Sequence, residues 1–310
     1  MIENTDYPAL WDWESKSFKH EIHMSHVNNY LRCPKQFEAK YIKKQADNDS
    51  NYNLSFGRVN HHFLNEQVKR KLEKKEMLQG DEIADYISDQ IEEQAEFLEG
   101  EEQTKFRQDK DYLISGATAL QEDYIANLIP RRTEQKFSIT IPDSPYKLVG
   151  TTDIERKLNP DEKIFPNRRF GVDDLKTAGS SPSKEKSTGA YKPKTEHFLQ
   201  QTAYTFASWI ANKLDPKDYK QTINRTIYLV KNKKPVIRPA SFVVTSEHIS
   251  FLHSVLEQMV KGLGAGVLNP NPNGWWCTKD FCPIFTQCRK SDILTVEQFK
   301  QSNETAIDYV

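Results

Sequence analysis

The chain of 310 residues lacks any uninterrupted run of about 18 apolar residues, and its mean hydropathy is -0.75, which argues against membrane-spanning helices. Its first ten residues lack the basic stretch and apolar core of a secretory signal, so the expected location is the cytoplasm. Cysteine is scarce, with four residues in all. In a reducing compartment such cysteines are more readily metal ligands than disulfides. Net charge is scarce as well: 43 Lys and Arg against 44 Asp and Glu leave -1, so any affinity for a polyanion must come from local basic surface. No G-x-x-x-x-G-K-[ST] phosphate loop occurs, which excludes ATP hydrolysis by that device. A chain of this length suits one large domain or two modest ones.

The apolar pattern begins as helix. Ser25 reads as an N-cap ahead of Val27, Tyr30 and Leu31, and Pro34 suits the first position of a second helix carrying Phe37 and Tyr41, which leaves Cys33 at the joint. A long helical stretch is expected over 57–128, with charge runs at 69–76 and 92–102 that read as solvated faces. The texture changes at Glu134. Phe137, Ile139 and Ile141 alternate as in a strand, 146–155 and 170–175 read as further strands, and a polar turn falls at 159–168. Residues 180–194, rich in Lys, Ser, Thr and Pro, break all periodicity and are expected as a mobile loop or lid. A helix over 197–214, strands at 222–230 and 236–244, and a helix from Ser246 to about residue 268 follow. The first 20 residues read as an irregular arm. The pattern as a whole predicts a mixed α/β or α+β core with an N-terminal helical region. The expected divisions are a helical region at 1–130, a core at 131–268, a cysteine segment at 269–290 and a polar tail at 291–310.

Two strands carry acids that packing does not explain. Asp153 follows Gly150 on one, and Asp174 lies two residues before Lys176 on the other, so strand alternation places Asp174 and Lys176 on one face. Asp173 makes an adjacent acid pair, and parity with Lys176 favours Asp174. Converging carboxylates repel unless a cation lies between them, and hard oxygen ligands suit Mg²⁺ or Mn²⁺. A neighbouring lysine then orients an attacking water, and phosphodiester hydrolysis is the reaction that fits best. Taken alone, Asp-x-Lys reads as a surface ion pair. His61, four residues after Gly57 near a helix start, offers an imidazole ligand. Gln200 and Tyr204, spaced i, i+4, face one side of their helix.

The cysteines fall as one plus three, Cys33 and then Cys277-x4-Cys282-x5-Cys288. Structural zinc uses paired knuckles, whereas four thiolates are what a [4Fe–4S] cluster requires. A link between positions this far apart restricts the unfolded chain by on the order of 4 to 5 kcal/mol if the disulfide relation is borrowed.

The ordered set Gly57-x-x-x-His61, Gly150-x-x-Asp153, Asp174-x-Lys176-Thr177 and Gln200-x-x-x-Tyr204 resembles the signature of RecB-type nucleases, a branch of the PD-(D/E)xK superfamily. The opening Ser25-His26-Val27 through Cys33-Pro34 and Phe37 resembles that family's N-terminal helical motif, so the likeness spans residues 25–290. It implies a restriction-endonuclease-like core, a mixed central sheet flanked by helices. His61, Asp153, Asp174 and the Leu175 carbonyl would ligate Mg²⁺ or Mn²⁺, Lys176 would position or activate the water, and Gln200 and Tyr204 would orient the DNA backbone. Glu134 would assist. The cysteine grouping is similar to the iron–sulfur staple of CRISPR-associated RecB-like exonucleases and AddB-type subunits. That favours [4Fe–4S] over zinc on Cys33, Cys277, Cys282 and Cys288, tying the N-terminal helices to the C-terminus.

Basic clusters lie at Arg131-Arg132, Arg168-Arg169, 184–194 and 231–234. The expected phosphate contacts are Lys184, Lys186, Lys192 and Lys194, with Tyr191 as a stacking residue. The expectation is a metal-dependent DNA exonuclease preferring single-stranded ends, with 5′-to-3′ polarity implied by the resemblance alone. Its settings would be recombination, repair, phage replication or CRISPR spacer processing, beside a separate helicase, recombination or CRISPR adaptation protein. The alternatives are a non-catalytic DNA-end-binding subunit and a structure-specific endonuclease.

Overall fold

The computed structural model describes residues 11–12, 14–15, 17–19, 21–45, 51–140, 146–158, 170–213, 222–274, 276–279 and 281–290. The turn expected at 159–168, the pair Arg168-Arg169 and the tail at 291–310 lie outside the described residues. In chain order the strands are β1 (Trp11–Asp12), β2 (Ser17–Phe18), β3 (Ile22–His23), β4 (Pro130–Thr140), β5 (Lys147–Lys157), β6 (Phe170–Ala178), β7 (Thr222–Val230) and β8 (Val236–Phe242). The helices are α1 (Met24–Arg32), α2 (Pro34–Phe37), α3 (Tyr52–Leu72), α4 (Asp81–Ala95), α5 (Gly100–Gln108), α6 (Lys110–Leu120), α7 (Thr195–Ala211), α8 (Ser246–Gly264) and α9 (Phe285–Lys290), with π turns at Glu38–Ile42 and Gln121–Ile125. The chain divides into two compact units, Glu21–Met24 with Asn48–Glu257, and Met1–His20 with Ser25–Asp47 and Gln258–Val310.

The first unit holds a mixed sheet in the order β3-β5-β6-β7-β8, with β4 paired to β5. Strands β5 and β6 run antiparallel, β6 and β7 parallel, and β7 and β8 antiparallel. Both faces of β6 and β7 are buried, as expected of central strands covered by helices on each side. On one face Ile154, Leu175, Ile227, Leu229 and Ile237 join a core with Phe56, Val59 and Phe63 of α3, Ile87 of α4 and Leu113 of α6. On the other, Phe170 and Val172 pack with Tyr204 and Trp209 of α7. The helices that the sequence pattern separates from the core at residue 130 therefore share one hydrophobic cluster with the sheet.

The stretch expected as one long helical run is four helices. Asn51 caps α3, its side chain accepting the Leu54 N–H at 3.0 Å. Buried Gln67 holds the chain beyond α3, exchanging hydrogen bonds with the Leu78 backbone at 2.9 and 3.0 Å. Gly80 and Gly100 then adopt positive φ at the starts of α4 and α5, a conformation that a side chain would strain. Helix α4 buries Ile83, Ile87 and Ile91 as a single stripe, and its first turn carries Asp81 and Glu82 where the helix dipole favours acids.

In the second unit β1 pairs with β2, and buried Trp11 meets Phe18 edge-on. This gives order to part of the arm expected to be irregular. Cys33 is the extended residue between α1 and α2, with Pro34 at the first position of α2, where its missing N–H costs nothing. Phe37 is fully buried between Tyr30 and Tyr41. Helix α1 starts at Met24, ahead of the expected cap at Ser25.

Candidate active site

The site lies where two strands part. The β5–β6 ladder runs from Lys157 opposite Phe170 to Ile154 opposite Asp173, whereas β6 stays paired with β7 as far as Ala178. Just past the last β5–β6 pair, the Leu175 N–H donates to Asp153 Oδ2 at 2.9 Å. A carboxylate thus takes the place of a backbone carbonyl at the notch. Ladder parity puts Asp153, Asp174 and Lys176 on one face. Lys176 Nζ is 2.9 Å from both oxygens of Asp174, with hydrogen-bond geometry to Oδ1. From α3, His61 brings Nδ1 to 3.4 Å from Asp153 Oδ2.

The two motif glycines differ in physical need. At Gly150 an added Cβ would stand 2.7 Å from the Phe137 ring, which crosses β5 from the opposing position on β4. Phe137 in turn meets Tyr204 edge-on at 5.9 Å. At Gly57 an added Cβ would meet Thr177 Oγ1 at an ordinary 3.6 Å, so crowding does not demand glycine there.

Charge is poorly balanced at the notch. Burial pushes Asp174 up to about 6, and the Asp153 charge adds to the effect against the opposing pull of Lys176. Burial raises Asp153 too, opposed by Lys176 and the Leu175 N–H. Burial and then the Lys176 charge lower His61 to about 4, against a hydrogen bond to the Leu175 backbone. Lys176 would be lowered by burial, but Asp174 and Asp153 outweigh it and hold its ammonium above the usual range. Asp174 Oδ2 is buried and lacks a hydrogen bond. A buried carboxylate, a half-buried one, an imidazole and the neighbouring Leu175 carbonyl form a donor set suited to a hard divalent cation. Among the described residues, no group of three or more His, Cys, Asp or Glu already stands in ligating geometry.

Helix α7 covers the site. Gln200 Nε2 donates to Tyr204 Oη at 2.5 Å, and burial, then the charges of Asp174 and Asp153, raise the Tyr204 phenol far above its ordinary range. His197, one turn earlier, is a site residue missing from the sequence reading. Its Nδ1 lies 2.9 Å from Tyr228 Oη, which also accepts the Lys194 N–H at 2.8 Å, and Tyr228 stands opposite Lys176 in the ladder. Burial and the Lys176 charge push His197 down to about 3. The spacing of His197, Gln200 and Tyr204 at i, i+3, i+7 was the available signal.

Asp173 belongs to the opposite face. Arg156 Nε lies 2.7 Å from its Oδ2, Arg225 Nη2 2.5 Å, and the Tyr124 O–H donates at 2.8 Å. Burial alone would raise its pKa, but the two guanidinium groups outweigh it and hold Asp173 below the usual carboxylate range. Neither arginine stands out in the sequence. Glu134 has positive φ and pairs with Lys69 at 3.3 Å.

The segment expected as a mobile loop or lid contains an antiparallel bridge, Lys184 to Tyr191. Tyr191 is half-buried and packs against the cluster of Ala178, Tyr228, Val230 and Ala240. Lys192 pairs with Glu185 at 3.7 Å, the Lys194 backbone holds Tyr228, and Lys186 is exposed in a turn.

All four cysteines lie in the second unit as thiols, none of them in a disulfide. Cys33 Sγ accepts the Asn271 N–H at 3.5 Å, while Cys282 and Cys288 pack against Ala39 and Ile284. Burial raises both of those thiols, and the charges of Cys33 and Cys277 add to it. Among the described residues, the cysteines do not form a group of three or more side chains in ligating geometry.

No curated protein matches the chain. Among solved structures, a protein from Eubacterium rectale with a provisional exonuclease name aligns at a TM-score of 0.52 and 14% identity, over 99% of this chain and 98% of that one. SSO0001 aligns at 0.37 and 13%, over 90% and 94%, too distant to carry an argument. The first likeness is one of fold. A sequence profile described as the PD-(D/E)XK nuclease superfamily matches residues 22–289.

Proposed function

On the premise that the chain belongs to the PD-(D/E)XK nuclease superfamily, we propose that it is a metal-dependent DNA exonuclease. The observation that carries this reading is the notch itself, where Asp153, Asp174, Lys176 and His61 converge and one buried carboxylate oxygen is left without a hydrogen bond. His61, Asp153, Asp174 and the Leu175 carbonyl would hold Mg²⁺ or Mn²⁺. Such a cation supplies stabilisation of the charge that develops on a phosphodiester. Lys176, fixed by Asp174, orients the attacking water, and its ammonium offsets the growing negative charge. Gln200 and Tyr204, locked together above the carboxylates, orient the backbone, and Lys184, Lys186, Lys192 and Lys194 add phosphate contacts.

Action at single-stranded ends with 5′-to-3′ polarity rests on the resemblance to CRISPR-associated exonucleases, and action at ends also fits the name of the E. rectale protein. The reading places the chain in the cytoplasm, in recombination, repair, phage replication or spacer processing, with unwinding left to a separate helicase. It further assigns a [4Fe–4S] cluster to Cys33, Cys277, Cys282 and Cys288, supported by their gathering in one unit as thiols outside any disulfide. Absorbance near 400 nm on anaerobically purified protein, lost in Cys33→Ala, tests the cluster.

The decisive assay follows end-labelled single- and double-stranded DNA with Mg²⁺ or Mn²⁺. Wild type should shorten linear DNA, leave circular DNA intact, and lose activity on Asp174→Ala or Lys176→Ala. Activity that survives both substitutions overturns the site, and cleavage of circles overturns the exonuclease reading.

A further inference from the structure

The face that carries the carboxylates continues across the sheet. Lys176 on β6 stands opposite Tyr228 on β7, and Tyr228 stands opposite Arg238 on β8. Directly opposed residues project from the same face, and two ladder spacings separate the lysine from the arginine by about 10 Å. The bridge between Lys184 and Tyr191 lies at this row, with Tyr191 packed on Tyr228 and Ala240. Lys184 Nζ is 5.0 Å from the Tyr191 ring centre and Arg238 Cζ is 5.7 Å from it. Each cation is attracted by the ring, yet the two repel one another.

Arg238 Nη1 donates to the adjoining Ile237 carbonyl at 3.0 Å, whereas the buried Nε–H has no acceptor among the described residues. The acid on the same segment, Glu185, is engaged by the Thr188 hydroxyl and by Lys192. A guanidinium donor withdrawn from water without an acceptor is costly, and a second cation nearby adds to the cost. An anion with several acceptor oxygens removes both penalties, and arginine suits phosphate through its fork of donors.

We propose that Arg238 and Lys184, flanking the Tyr191 ring, bind a backbone phosphate of the substrate strand, adjoining the phosphate cut beside Lys176. This rests on the nuclease reading above and adds to it the course of the strand, from β6 toward β8. A contact of this kind carries no base information, so it acts equally on all sequences.

The test is fluorescence anisotropy with a labelled single-stranded oligonucleotide in EDTA over a salt series, followed by steady-state cleavage with Mg²⁺. Arg238→Gln should weaken binding roughly tenfold and lower the salt slope by about one. Arg238→Lys should keep the slope, and Lys184→Gln, at an exposed position, should lower it in a fold left undisturbed. KM should rise while kcat stays, and Lys110→Gln, a control on exposed charge, should change neither. Wild-type affinity and slope in both Arg238→Gln and Lys184→Gln, in a protein whose cleavage still depends on Asp174, overturn the phosphate site alone. A wild-type protein that neither binds nor cuts DNA overturns the nuclease reading as well.

Discussion

Asp173 and Asp174 are neighbours on β6, each 1% exposed, and the two faces of the strand treat them in opposite ways. Asp173 meets two guanidinium groups and a phenol, and its carboxylate is held ionised below the usual range. Asp174 meets one ammonium, a second carboxylate and an imidazole lowered to about 4, and it is pushed up to about 6. Burial is equal, so the count of compensating charges decides the outcome. The saturated face behaves as a structural pin. The unsaturated one has the character of a site waiting for a cation.

Substitution at each acid should separate the two roles. Asp174→Asn is expected to lower cleavage by about 10²- to 10⁴-fold. Its unfolding midpoint in EDTA should match or exceed that of wild type, because an under-compensated buried charge is gone. Mg²⁺ at about 100 times its dissociation constant should stabilise wild type by about 2.7 kcal/mol and leave Asp174→Asn unmoved in denaturant titrations. If Asp174→Asn proves the less stable protein, the contrast between the faces fails.

A loss of about 3 to 5 kcal/mol in urea unfolding is expected for Asp173→Ala, which strands Arg156 and Arg225 in the interior. An unchanged unfolding midpoint would mean that the paired face is not a pin. The smallest effect sharpens the comparison at the edge of the site. Gly150→Ala should cost about 1 to 3 kcal/mol through its collision with Phe137, and Phe137→Ala in the same chain should relieve the collision. A Gly150→Ala protein as stable as wild type would remove steric need as the reason for that glycine.

Much of this contrast is written in local sequence. Alternation alone sends Asp173 and Asp174 to opposite faces and returns Lys176 to the side of Asp174, and helical spacing pairs Gln200 with Tyr204. What local pattern does not carry is pairing between distant segments. The notch exists because β5 leaves β6 at Ile154 while β6 stays with β7, and no residue near Asp153 announces that parting. Arg156 and Arg225 read as strand polar residues until the ladders bring both to Asp173. His197 reads as an ordinary early helical residue until Tyr228 arrives from β7. The long helical pattern conceals two glycine breaks, and the charge run at 92–102 continues across the one at Gly100. Residues 180–194 lack periodicity because their anchors, the buried Pro182, the Tyr191 ring and the Lys194 backbone, are irregularly spaced and leave no repeat to detect.

The parallel pairing of β6 with β7 carries a last consequence. An antiparallel neighbour can be reached by a tight turn, but a parallel one obliges the chain to travel back over the sheet before it can re-enter. Here the return journey contains α7, which lies over the carboxylate face with His197, Gln200 and Tyr204. The roof of the site is thus a by-product of strand direction. A lineage that kept this strand order would inherit a covered cleft without selecting for one, and would have only to choose which side chains line its ceiling.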